Sequence, residues 1–168
     1  EGQAIVLIGR TEGHLGCSAY QVEIAGKADG MPPPVDLGAE RANGDFIRAE
    51  IASGAVSACH DLSEGGLAVA LAAMAIASGI GAAISAPDGA VPLHAWLFGE
   101  DQARYLVAVD DVEGLLARAA AARVPAARIG ITGGTTLTLA GAGSISVADL
   151  KGAFEAWFPA FMGDEQGQ

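Results

Sequence analysis

Apolar positions in this chain fall into short runs punctuated by glycine, and the runs change period from one to the next. Ala4 to Gly9 is a continuous β-branched and leucine run that stops at glycine, which predicts a short buried strand. Thr11-Glu-Gly-His-Leu-Gly16 follows as a glycine-rich loop, leading into a short helix near Ser18 to Glu23. Gly30-Met-Pro-Pro-Pro34 must be irregular, because three prolines remove donors and hold the backbone near polyproline II. Asp36 then caps a helix from about Leu37 to Ser53, whose Phe46, Ile47 and Ile51 form a stripe at helical spacing.

Ala55 to Cys59 predicts a second strand, His60 to Gly66 a turn, and Leu67 to Ser78 a nearly all-apolar helix enclosed between other elements. Gly79 ends that helix, and Ile80 to Ser85 supplies another strand. Arg104 to Val109 is a strand and Val112 to Arg123 an amphipathic helix. Arg128 to Thr132 and Thr135 to Leu139 are expected to form a hairpin turned by Gly133-Gly134. Asp149 to Trp157 closes the chain as a helix. The alternation predicts an α/β fold, a mixed sheet flanked by helices, in one domain over residues 1–163 with a disordered tail at 164–168.

Length supports this: 168 residues bury a sizeable core without disulfide or metal. The hydrophobic content of 51% and mean hydropathy of +0.38 raise the question of a membrane. The longest apolar run, Leu67 to Gly79, is alanine-rich and falls short of the ~20 residues a span needs. Twenty acidic against nine basic residues give a net charge of −11, which argues against nucleic acid and anionic membrane surfaces as partners. A small phosphorylated ligand remains compatible, since backbone N–H groups at a helix start hold phosphate without a basic patch. Cys17 and Cys59 lack CxxC spacing and read as reduced core thiols, in keeping with a cytoplasmic location. The chain begins with Glu directly on a strand, without a targeting signal, as expected of a piece of a longer protein.

Two polar clusters interrupt the pattern. In His60-Asp-Leu-Ser-Glu-Gly-Gly66, Asp61 and Ser63 either cap the following helix or point into a cleft, and Gly65 and Gly66 allow a close approach to the backbone. In Leu97-Phe-Gly-Glu-Asp-Gln-Ala-Arg104, Glu100 and Arg104 are candidates for a buried pair, and Gln102 for a donor to a ribose or amide oxygen; a solvated turn is the other reading. His14 and His94 have no carboxylate or cysteine at ligand spacing, so no metal site is expected from this chain alone. Walker-type, dinucleotide-binding, nucleophile-elbow and HExxH patterns do not occur.

At these clusters the chain resembles a known family. His60 to Leu71 followed by Leu97 to Arg104, in this order and spacing, is similar to the last domain of phosphoribosylformylglycinamidine synthases, and Ile5 to Gly9, Leu15 to Ser18, Ile129 to Gly133 and Val147 to Pro159 extend the resemblance over most of the chain. Departures are Cys17, where the family commonly has glycine or alanine, and Ala19 and Ala73, each in place of a frequent glutamate.

The resemblance implies a domain of an ATP-dependent carbon–nitrogen ligase of purine biosynthesis. That enzyme converts formylglycinamide ribonucleotide to its amidine with glutamine-derived ammonia. It implies ATP and Mg2+ as cofactors bound mainly by preceding domains, so the fragment alone is expected to be inactive. It also implies the preceding domains, a glutaminase subunit and a small accessory subunit as partners. No acid–base catalyst is expected here; Asp61, Ser63, Gly65, Gly66, Glu100, Gln102 and Arg104 are expected to line a nucleotide, phosphate or substrate cleft. By pseudosymmetry that cleft belongs either to the working site or to an auxiliary nucleotide site. Two alternatives stay open: a purely architectural or subunit-docking domain, or the equivalent domain of a related enzyme such as aminoimidazole ribonucleotide synthetase. The isolated fragment is expected to dimerise through apolar surface that its neighbours cover.

Overall fold

Ala4–Ile8 (β1) is buried at all five positions because it lies inside a sheet covered on both faces. In the computed structural model, which describes residues 1–89 and 91–163, β1 has β4 (Tyr105–Val109) and β5 (Ala126–Thr132) as antiparallel neighbours. The seven strands run in the order β2 (Ala58–Asp61), β4, β1, β5, β3 (Ala82–Ile84), β6 (Thr136–Leu139), β7 (Gly143–Ser146). Among the described residues only β3 and β6 pair in parallel, so the sheet is mixed and flanked by helices, as expected. The expected disordered tail falls on 164–168, outside the described residues.

Alternation along β1 divides the core in two. Ile5 and Leu7, with Leu106, Ile129 and Ile84, face the helices α3 (Gly66–Ser78), α4 (Leu93–Phe98) and the start of α6 (Val147–Met162). Ala4, Val6 and Ile8, with Val107 and Val109, face α2 (Leu37–Ala52) and α5 (Val112–Ala121) through Phe46, Ile47, Leu115 and Ala119. On that second side Glu50 of α2 accepts from both Nε and Nη2 of Arg118 of α5, at 2.9 to 3.1 Å. The short α1 (Ala19–Ala25) buries none of its residues.

The helix boundaries follow from local chemistry. Asp36 accepts from the amides of Gly38 and Ala39 and starts α2, and Asp111 accepts from Gly114 and starts α5. Gly79, at φ 71°, ends α3 with its amide on the Ala75 carbonyl. Ser146 caps α6 through the Asp149 amide, so this helix begins two residues before the expected Asp149 and runs on to Met162.

Four expectations are corrected. The hairpin of 128–132 with 135–139 does not form: β3 inserts between β5 and β6, pairing antiparallel with one and parallel with the other. Gly133 and Gly134 serve this insertion, the amide of Gly133 donating to the Gly81 carbonyl and that of Gly81 to the Gly134 carbonyl, each at 2.7 Å. The strand expected at Ala55 to Cys59 lies three residues later, where its partner β4 dictates the register. The helix expected to be enclosed, α3, buries only one face; Val69 is half exposed and Ala77 exposed. Cys17 is exposed and so is not a core thiol, whereas Cys59 is half-buried and packs against the second core; both are free.

No described helix is long and apolar enough to cross a membrane.

Candidate functional site

The two polar clusters meet. Gly65, the residue before α3, donates its amide to Glu100 Oε1 at 2.8 Å, and the same oxygen accepts from Ala19, the first residue of α1, at 2.9 Å. One carboxylate therefore occupies the positive ends of two helices, where free N–H groups and the helix dipole favour a negative charge. The chain around it is drawn tight: Leu62 donates its amide to the Arg104 carbonyl at 3.0 Å, and the Glu100 amide donates to the His14 carbonyl at 2.9 Å.

Gly66 lies against the 97–104 loop with no room for a side chain. A Cβ there would fall 2.5 Å from the Gly99 carbonyl oxygen, and the residue sits at φ 62°, where only glycine is unstrained. Gly65, at φ 77°, is likewise left-handed, and it caps α3 without any side-chain hydrogen bond. Asp61 and Ser63 therefore do not cap that helix; both are solvent-exposed.

Arg104 is 1% exposed and spends its donors inside the fold. Its Nε reaches the Asp101 carbonyl at 3.1 Å, Nη1 the Thr11 hydroxyl at 3.1 Å, and Nη2 the Gly99 carbonyl. Its acidic partner is Asp101, with Nη1 3.7 Å from Oδ2, and not the expected Glu100, which the two helix starts hold. Burial pulls the guanidinium below its ordinary pKa, and Asp101 opposes this.

Asp101 is the residue that the sequence did not single out. Its Oδ2 accepts from the amides of Glu12 and Gly13 at 3.1 and 2.9 Å, and its Oδ1 accepts from the His14 amide at 3.2 Å and approaches His14 Nδ1 at 2.6 Å. Burial alone pushes this carboxyl up, but the His14 side chain, the Gly13 and His14 amides and the Arg104 charge outweigh it and hold the group below the usual carboxylate range. An ionised carboxylate only accepts, so His14 Nδ1 carries the proton. No local spacing signals this contact, because 87 residues separate the two side chains.

Three loops, 9–18, 62–66 and 97–104, thus form one junction. Gly65, Gly66, Glu100 and Arg104 build its interior, while the side chains of Asp61, Ser63 and Gln102 are exposed. Gln102 returns its Nε2 to the Glu100 carbonyl at 3.4 Å, and beside it a cleft of about 620 Å³ opens between Arg10, Arg123 and the start of α2. Cys17, expected as glycine or alanine from the resemblance, has φ 58°, the left-handed region that glycine occupies freely. Among the described residues, no group of three or more His, Cys, Asp or Glu side chains is arranged to hold a metal ion.

This arrangement of a mixed sheet, a glycine turn before an alanine-rich helix and a polar loop locked onto that turn defines a protein class. Residues 1–139 match the family described as AIR synthase related protein, C-terminal domain, and the chain belongs to that family. More particularly, it is 58% identical over 166 residues to the phosphoribosylformylglycinamidine synthase subunit PurL of Parvibaculum lavamentivorans, covering 96% of this chain and 22% of that protein. It is 53% identical over 165 residues to the corresponding subunit of Bradyrhizobium sp. strain ORS 278, covering 97% and 22% respectively. The chain thus spans about a fifth of the length of these curated relatives. The solved structure of Thermotoga maritima PurL complexed with FGAR superposes with a TM-score of 0.70 at 18% identity, over 89% of this chain and 28% of that one, which shows the shared fold.

Proposed function

We propose that residues 1–163 form the C-terminal module of a phosphoribosylformylglycinamidine synthase subunit. The complete enzyme uses ATP and glutamine-derived ammonia to convert formylglycinamide ribonucleotide to its amidine in the cytoplasm. The observation that carries this reading is the 58% identity to such a subunit along 96% of the chain. ATP supplies the phosphoryl group that makes the amide oxygen displaceable. Preceding domains, a glutaminase subunit and a small accessory subunit complete the assembly.

The geometry supports a division of labour among the seven cleft residues. At the turn before α3 two of the amides a phosphate would use are already engaged, that of Gly65 by Glu100 and that of Gly66 by the Ser63 carbonyl. In this reading Mg2+ and the nucleotide phosphates belong mainly to the preceding domains, as the resemblance implies. Arg104, Glu100, Gly65 and Gly66 are positioning residues that hold the rim, and Asp61, Ser63 and Gln102 are the side chains left to touch a substrate or nucleotide. An architectural role is the second reading, favoured by the fact that Arg104 spends its donors within the fold.

The longer synthase polypeptide provides the test. With ATP, Mg2+, formylglycinamide ribonucleotide and ammonia it should form the amidine, while the 168-residue chain forms none. Substitutions Asp61→Ala and Gln102→Ala should raise the KM for the nucleotide substrate or reduce the amount of nucleotide retained. If both variants match the parent in turnover, KM and nucleotide stoichiometry, the architectural reading replaces the cleft.

A further inference from the structure

The last helix carries more aromatic surface than the fold uses. Phe154, Trp157, Phe158 and Phe161 recur at i, i+3, i+4 and i+7, one face of a helix, and are 60 to 71% exposed. Trp157 and Phe161 stack on each other at a centroid distance of 5.0 Å rather than on the core, and Val147 is the only buried residue of α6. The stripe is continuous with the uncovered side of α3: Phe154, Val69, Ile76 and Ile145 line one apolar groove of about 600 Å³.

We propose that this face of α6, together with the outer face of α3, docks permanently against an apolar surface elsewhere in the same longer polypeptide. The inference rests on the reading that the chain is one module of such a polypeptide.

Three observations select that occupant. The curated relatives match along nearly the whole chain yet have most of their length outside it, so an intramolecular partner is present at high effective concentration. The family match ends at residue 139, before α6 begins, whereas the match to the long relative covers 96% of the chain and so takes in at least part of α6. In the longer polypeptide a second copy is opposed by the net charge of −11 on each module, whereas the isolated chain, without that partner, is the form expected to dimerise. Four adjacent exposed aromatic rings are typical of permanent rather than transient contacts.

Hydrogen–deuterium exchange, read without substrates, tests this on the longer polypeptide and on the 168-residue chain side by side. The backbone amides of residues 154–158 and 160–162, Pro159 having none, should exchange at least tenfold more slowly in the longer polypeptide, independently of its concentration. In the longer polypeptide, Trp157→Ala with Phe161→Ala should abolish that difference while the β1 amides keep their protection. Equal exchange in the two proteins overturns the proposal, as does protection that grows with concentration, which identifies a second copy as the occupant. A longer polypeptide that forms the amidine but leaves α6 unprotected removes this inference alone. One that protects α6 but forms no amidine removes the functional reading alone.

Discussion

Glu100 Oε1 and the Gly65 amide are joined at 2.8 Å across 35 residues of sequence, and Ala19 completes the arrangement from a third segment. Removing the acceptor leaves two helix-start donors without a protein partner. Glu100→Ala should therefore destabilise the chain by about 2 kcal/mol, with Glu100→Gln costing less because its carbonyl still accepts. Urea denaturation of the three proteins measures this; an alanine variant as stable as the parent would show that water satisfies those amides.

Gly66 and Gly134 separate close approach from backbone conformation. Both have positive φ, 62° and 65°, but a Cβ at Gly66 meets the Gly99 carbonyl oxygen at 2.5 Å while one at Gly134 meets nothing within 4 Å. Gly134→Ala should cost about 1 kcal/mol, the left-handed strain alone. Gly66→Ala should cost more than about 3 kcal/mol, because the 97–104 loop must move. Equal losses in thermal midpoint would contradict the contact.

Cys17 presents the opposite case, an exposed non-glycine residue at φ 58°. Cys17→Gly should raise stability by about 1 kcal/mol, strain relief exceeding the extra freedom of the unfolded chain and the loss of the thiol donation to the Gly30 carbonyl. Scanning calorimetry decides it, and a lowered midpoint would count against the strain.

Asp101 makes stability depend on acid. Its folded pKa lies below the unfolded value of about 3.9, so its contribution is complete above roughly pH 5 and is lost as pH falls through the unfolded and then the folded value. Asp101→Asn should lower stability at pH 6 and flatten the decline between about pH 5 and pH 3. Parallel urea midpoints for parent and variant across that range would remove Asp101 as a source of the acid response.

Elements whose signal is local were legible in the chain. β1 as a continuous apolar run, α2 behind Asp36, α3 ended by Gly79, and α5 all occur within a residue or two of expectation, because caps and periodicity act over a few residues. The helix α4 was not foreseen. It is only six residues long and lacks a side-chain cap, and its Trp96 and Leu97 become helical by packing beside α3. The strand β7 was missed for a related reason: it is four residues long, mostly exposed, and defined by pairing with β6.

At the candidate site the two polar motifs could be picked out from residue type and spacing, but their internal connections could not. Neighbouring acids with the same charge, Glu100 and Asp101, take different partners because one side chain reaches two helix starts and the other turns toward the 12–14 loop and Arg104.

By itself, then, the amino-acid order determined the class of fold, the main helices and the location of the polar bends, since hydrophobic period and capping chemistry are properties of neighbouring residues. Tertiary structure alone decided that β3 separates β5 from β6, that α3 keeps an uncovered face, and that Asp101 rather than Glu100 pairs with Arg104. Those outcomes depend on contacts between segments tens of residues apart, whose energies are set by which surfaces remain to be buried once the local elements have formed.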